Sequence, residues 1–267
     1  METDRNIQLI CYTYISDKTP LYDMLSQFLS IYECPPMYAE FFQTLMKMPL
    51  SFPIGYAIKQ TALKEISFEL YFYQLDPFRT NHLQMYVVPT FTRESLQQID
   101  PFLTHTTWEE DVFILSLNID EAYFTKSQKQ VTYYFLTGPI YFYTHKVCSE
   151  GKTFFQNSDY SLAYVYPEVI QNYPEWYERA CFYQSNQKDM FIGSKDYQER
   201  FGYYLQKISY ERFLHFLEEF QYSPIFIEAC KQHFNDTYVF DVGFDFWKDG
   251  TLAKTMLYGI LQPTKSS

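Results

Sequence analysis

Asp241, Asp245, Lys254 and Tyr258 stand at alternating positions in two runs, VFDVGFDFW and TLAKTMLYGIL, separated by Lys248-Asp249-Gly250. Asp-Gly between alternating runs predicts a hairpin with a two-residue turn. In that register Asp245 faces Lys254, Gly243 faces Met256 and Asp241 faces Tyr258. Phe246 then faces Ala253, Phe244 faces Thr255, Val242 faces Leu257 and Phe240 faces Gly259 on the other, largely apolar side. One face therefore gathers two carboxylates, an ammonium and a phenol. Such a set can hold an anion, take up a proton and set an aromatic ring beside a developing positive charge. It is equally the wet side of an amphipathic sheet, where Asp245 and Lys254 make an exposed pair worth little.

The elements that position such residues repeat along the chain. The second strands of five hairpins align as EISFELYFYQLD (65–76), KQVTYYFLTG (129–138), SDYSLAYVYP (158–167), QERFGYYLQK (198–207) and AKTMLYGILQ (253–262). Each follows a shorter run: IGYAIKQ (54–60), VFILSLNID (112–120), PIYFYTH (139–145), DMFIGSK (189–195) and VFDVGFDF (239–246). This is the pattern of an internal repeat. Apolar residues at helical spacing predict helices between the hairpins. One follows Thr19-Pro20, with Leu21, Met24, Leu25, Phe28, Leu29 and Tyr32 on one side, and another starts near Pro36. A short helix is capped by Thr92 and stopped by Pro101, another spans Ser209 to Gln221, and a last one follows Pro224. Ile7–Ile15 and Leu83–Val88 read as further strands, prolines 167 and 174 break the segment around them into short turns, and Pro263–Ser267 reads as a tail. Little room for a helix is left at Thr137-Gly138-Pro139, between the second and third hairpins.

The 267 residues carry no Gly/Ser linker, charge block or low-complexity break, which predicts one domain over 1–267. Aromatic residues make up 21% of the chain, with 27 Tyr and 26 Phe, more tyrosine than an ordinary core needs, because each buried phenol requires a hydrogen-bond partner. A tyrosine-lined cavity, a broad contact surface and plain abundance of β-strand all account for it. A formal charge of −11 argues against a broad basic surface for nucleic acid or anionic membrane. No apolar run reaches membrane-spanning length. Five scattered cysteines and five dispersed histidines show no metal-ligand spacing, and reduced thiols predict a cytoplasmic protein.

Strand-strand-helix units can close into a barrel jacketed by helices, which removes free sheet edges. The fold class expected is α+β, an antiparallel β-barrel of repeated hairpins with helices packed outside. On this order of elements the chain resembles the ABBA-barrel prenyltransferases of natural-product biosynthesis, nearest the cyanobactin peptide prenyltransferases. MYAEFF through ELYFY is similar to their opening helix and hairpin, and LSLNID with the basic turn after it to their second hairpin. FIGSKDYQERFGYYLQK resembles their fourth, and the strand bearing Lys254 and Tyr258 their fifth. The likeness covers about residues 36–262.

The resemblance implies transfer of an isoprenoid group from an allylic diphosphate to an aromatic or peptide side chain, with magnesium a candidate cofactor. Lys59, Lys195 and Lys254 would then hold the anionic leaving group, and Tyr71, Tyr73, Tyr204 and Tyr258 would shield the allyl cation. Glu69, Asp241 and Asp245 are the carboxylates that would orient or deprotonate the acceptor. The chain departs from the family where a glutamate is expected on the first barrel strand, at Gly55. It departs again where an arginine is expected on the next strand, near Phe68 and Glu69, and where hairpin two carries Gln130-Val131-Thr132-Tyr133-Tyr134 after Lys129 in place of a basic run. Two readings outside this family fit the composition as well: a barrel that binds an apolar or aromatic small molecule without catalysis, and a protein-interaction subunit.

Overall fold

The computed structural model describes residues 22–50, 54–73, 93–104, 112–136, 142–148, 153–158, 160–161, 192–197, 200–247 and 249–261. The expected strands at 7–15 and 83–88, the caps at Thr19 and Thr92, the joint at 137–139, prolines 167 and 174 and the tail at 263–267 lie outside the described residues.

Among the described residues eleven strands form one sheet: β1 (Ile54–Thr61), β2 (Ile66–Tyr73), β3 (Val112–Ile119), β4 (Gln130–Leu136), β5 (Phe142–Cys148), β6 (Thr153–Ser158), β7 (Tyr160–Ser161), β8 (Ile192–Tyr197), β9 (Arg200–Ser209), β10 (Val239–Trp247) and β11 (Leu252–Leu261). Their order is β6-β5-β4-β3-β2-β1-β11-β10-β9-β8-β7, antiparallel throughout. The first and last strands thus pair with each other at the middle of the sheet. The helices are α1 (Tyr22–Ile31), α2 (Pro36–Lys47), α3 (Arg93–Ile99), α4 (Glu121–Thr125), α5 (Tyr210–Glu219) and α6 (Pro224–His233), with a 3-10 turn at Pro101–Thr104. The α+β class with antiparallel hairpins is as expected. Closure into a barrel is not: among the described residues the ladder runs out at β6 on one side and β7 on the other. These are successive strands, and residues of β6 come within 8 Å, Cα to Cα, of residues of β8.

The closing hairpin corrects the expected turn. Trp247 N–H bonds to Thr251 O (2.8 Å), and Gly250 N–H bonds to Trp247 O (2.9 Å) with Gly250 at φ 83°. The loop therefore has three residues, ending in a left-handed position that glycine adopts without steric cost. Phe246 consequently pairs with Leu252, not Ala253, and a register shift between Asp245 and Phe246 absorbs the extra residue. Beyond that shift the expected pairs hold, Asp245 with Lys254, Gly243 with Met256 and Asp241 with Tyr258. The β1–β2 turn repeats this geometry, with Thr61 N–H to Glu65 O (3.0 Å), Lys64 N–H to Thr61 O (2.9 Å) and Lys64 at φ 64°.

The third hairpin is also corrected. β5 pairs with TFFQNS of β6, Val147 opposite Thr153 and Phe142 opposite Ser158, and not with the run at 158–167. Of that run Ser158 ends β6, and Tyr160 and Ser161 form β7, beside β8. The β3–β4 connection, read from sequence as a basic turn, holds α4, whose first turn is capped by the Asp120 carboxylate accepting from Tyr123 N–H (2.9 Å).

One face of the sheet packs under helices. Tyr56, Ile58, Phe68, Leu70, Phe72, Leu117, Val242, Phe244 and Leu257 are buried together with Phe28 of α1, Phe42 of α2 and Phe213 and Phe216 of α5. Phe213 stacks on Phe240 with centroids 3.8 Å apart, and Phe28 meets Phe68 and Phe226 edge-on. Proline at the first turn of α2 and of α6 suits helix starts, since its missing N–H would be unpaired there anyway. A clamp ties the 3-10 turn to β4: Asp100 accepts from Lys129 Nζ (2.8 and 2.9 Å), Phe102 N–H (2.8 Å) and the Tyr123 hydroxyl.

Candidate functional site

The other face of the sheet carries the candidate residues, arranged in rows across the strands. Nearest the hairpin turns, Lys195, Gly202, Asp245, Lys254 and Thr61 are successive partners on β8, β9, β10, β11 and β1. The next row runs Gly193, Tyr204, Gly243, Met256, Lys59 and Ser67. The third runs Asp241, Tyr258, Ala57, Glu69, Asn118 and Gln130, and the fourth Ile260, Gly55, Tyr71, Ser116, Thr132 and Lys146. Tyr73, opposite Ile114, falls one row further on the same face. All ten candidates therefore share one side of one sheet, and Lys195, Tyr73 and Tyr204 are placed there by register.

This face is polar and yet buried. Relative exposure is 0% at Asp245 and Ser116, 5% at Asp241, 6% at Thr132 and 7% at Glu69. The exposed Asp245–Lys254 pair considered from sequence is corrected accordingly: Asp245 is sealed from solvent, with Lys254 Nζ 3.2 Å from its Oδ2. Four of the chain's eight glycines, Gly55, Gly193, Gly202 and Gly243, lie on this face. Glycine inside a strand gives up side-chain packing.

Glu69 is the hub. Its carboxylate pairs with Lys59 Nζ, accepts from Ser116 Oγ and accepts from Tyr71 Oη at 2.8 Å. Burial alone would raise its pKa, but the Lys59 charge and the hydrogen bonds from Lys59, Ser116 and Tyr71 outweigh burial and hold it at about 2. Burial lowers the Lys59 pKa against the pull of Glu69, and the nearby Lys254 charge lowers it further. Glu69 is therefore a fixed anion that orients Tyr71 and Lys59, and a poor proton acceptor near neutrality. The Tyr71 ring lies 6.2 Å from that of Tyr258, tilted by 45°, and the Tyr258 hydroxyl donates to Met256 Sδ at 3.3 Å.

These contacts join Lys59, Glu69 and Tyr71 into one network and Asp245 with Lys254 into a second. Asp241 stands opposite Tyr258 on β11. Sequence reasoning missed Ser116, Thr132 and Lys146. Ser116 and Thr132 were legible as polar residues at alternating positions of otherwise apolar runs. Lys146 follows immediately after the run read as a strand at 139–145. The carboxylates do not fit a magnesium cradle, since Glu69 and Asp245 are each held by an ammonium, and among the described residues no three His, Cys, Asp or Glu side chains are grouped to hold a metal ion. Comparison of the chain with protein-family models and with curated proteins finds no match.

Proposed function

We propose that this chain is a cytoplasmic prenyltransferase, moving an isoprenoid group from an allylic diphosphate to an aromatic or peptide side chain on the polar face of an ABBA-like sheet of hairpins. The observation that carries this reading is the burial of a polar sheet face that bears tyrosines, lysines and carboxylates. A flat antiparallel sheet would leave such a face in water. Its burial, with β6 and β8 drawn together, supports a sheet curled around a chamber.

In this reading the two rows nearest the turns, with Lys254, Lys195 and Lys59, hold the diphosphate. The next two, with Tyr258 and Tyr71, receive the isoprenoid; successive rows on one face lie about 7 Å apart. The allylic C–O bond breaks with its electron pair leaving on diphosphate, and the tyrosine faces shield the cation from water. The acceptor then bonds to the allylic carbon and loses its proton to a carboxylate, a role that falls to Asp241 because Glu69 is held ionised by its donors. Glu69, opposite the small Ala57, supplies from β2 the carboxylate that the family carries on its first barrel strand.

One observation favours a second reading. Lys59 and Lys254 are each paired with a carboxylate, so neither brings an uncompensated charge to this face, which suits a chamber for a neutral aromatic molecule. Incubation with dimethylallyl or geranyl diphosphate, with tyrosine or a tyrosine peptide and with or without magnesium, separates the two. Acceptor-dependent diphosphate release with a matching mass increase of the acceptor is expected. Tight retention of an unmodified aromatic ligand with no release would favour the second reading and remove the first.

A further inference from the structure

Tyr71 of β2 and Tyr258 of β11 stand on either side of β1, which brings only the small residues Gly55 and Ala57 to this face between them. The two rings come within 6.2 Å of each other, centroid to centroid, tilted by 45°. Both tyrosines are half-buried and keep some accessible surface, while the groups they bond to, Glu69 and Met256, are buried.

The direction of each hydroxyl bond is fixed by its partner. Glu69, an ionised carboxylate paired with Lys59, can only accept, so Tyr71 Oη donates to it at 2.8 Å and Ser116 Oγ donates to its other oxygen. A thioether sulfur has no proton to give, so Tyr258 Oη donates to Met256 Sδ at 3.3 Å. A phenol carries one hydroxyl proton. Both tyrosines have therefore committed theirs within the protein, and toward any other group their oxygens offer lone pairs only. Asp241, opposite Tyr258, is also an acceptor when ionised. The Lys59 ammonium lies one row nearer the turns, at Glu69. A molecule resting on the two tyrosines thus meets ring faces and acceptors. An acceptor that loses its water to a ligand with nothing to donate is left unsatisfied at a cost, whereas an N–H or O–H on the ligand replaces that water.

We propose that the Tyr71–Tyr258 pair selects ring ligands that bring a hydrogen-bond donor, an N–H or an O–H, and discriminates against rings of the same shape that bring none or bring only acceptors. The inference rests on the reading of this face as a ligand chamber, and it holds for a transferase and for a binding protein alike.

The test is equilibrium dialysis of the full chain against matched rings: indole with N-methylindole, and 4-methylphenol with 4-methylanisole, with acetophenone as a ring that only accepts. Saturable binding of indole and 4-methylphenol is expected, with the methylated partners and acetophenone about tenfold weaker or more. Tyr71→Phe and Tyr258→Phe keep the rings and remove the acceptors. Each should reduce the preference for indole over N-methylindole, and the double variant should abolish it while N-methylindole binds as before. A merely structural loss would weaken both ligands together. Thermal melts confirm folding, and Tyr258→Phe leaves every donor to Glu69 in place, so it serves if Tyr71→Phe is unstable. Equal affinities within each pair, no saturable binding of either donor ring, or an unchanged preference in both single variants would overturn the inference. Diphosphate release from dimethylallyl diphosphate, measured with the same rings, reports on transfer separately. Equal release with indole and N-methylindole would overturn donor selection and leave the transferase standing, whereas selective binding without release would support donor selection and remove the transferase.

Discussion

Glu69 is ionised because two hydroxyl donors and an ammonium outweigh the cost of its burial, which makes its charge a determinant of stability as well as of the site. An acid with a folded pKa below its unfolded value stabilises the fold while it is ionised in both states. For Glu69, about 2 against an ordinary 4.5, that contribution is complete above about pH 4.5 and is lost as pH falls toward 2. It amounts to something on the order of 3 kcal/mol. The unfolding midpoint of the wild type should therefore drop steeply between pH 5 and 2 (roughly the window of a carboxylate depressed in this way), and Glu69→Gln should flatten that dependence. Equal slopes in the two proteins would show that Glu69 is not held in this state. Asp245 is sealed from solvent with the Lys254 ammonium 3.2 Å from its Oδ2. Lys254→Met leaves a sealed carboxylate facing an apolar side chain and should cost about 3 kcal/mol at neutral pH by urea unfolding. Adding Asp245→Asn should restore most of it. A loss below about 0.5 kcal/mol would mean that the pair is solvated, as exposed pairs are.

Between residues and sheet, the hairpins and helices were the part most open to reading from sequence. Alternation and helical spacing located four of the five hairpins and α1, α2, α3, α5 and α6, because each depends on contacts within a short stretch. The third hairpin was misread because TFFQNS is short and ends in polar residues, so the aromatic-rich run after it gave the stronger alternating signal. The closing turn gained a residue and the neighbouring bulge absorbed it, so the pairing of Asp245 with Lys254 survived a wrong turn. Cross-strand fit was not legible. Gly259 of β11 lies opposite the fully buried Tyr56 of β1, and a Cβ at 259 would overlap the Tyr56 hydroxyl and ring. Gly259→Ala should destabilise the protein by about 3 kcal/mol, the upper range for overpacking, since a sealed ring between sheet and helices cannot move aside. A change within experimental error would show that Tyr56 has room to shift. The cap of α5 is a milder case: Ser209 Oγ accepts from Arg212 N–H at 3.4 Å, and Ser209→Ala should cost no more than about 1 kcal/mol in the same assay.

At the scale of the molecule, β1 is the strand on which the first and last described hairpins meet. It carries ladders to β2 on one side and β11 on the other, with Ala57 between Glu69 and Tyr258. Local pattern gives no sign of the second ladder, which joins residues far apart in sequence, so the network around Glu69 and the tyrosine pair could not be assembled from separate runs. The same arrangement sets a strong demand on folding. Without β10 and β11, β1 loses half its hydrogen bonds, and α5 and α6 lose Phe240 and Phe244, against which Phe213, Phe220 and Phe234 pack. A chain cut after Tyr238 should therefore bind a dye that reports exposed apolar surface and unfold in urea without a cooperative transition, even though α1, α2 and the first three hairpins remain in it. Were the two halves instead separate folding units, the truncated chain would keep a cooperative transition with a smaller denaturant slope, in proportion to the surface it still buries. That outcome would sever the β1–β11 pairing from the stability of the first half and, with it, the case for a single chamber formed by both ends of the chain.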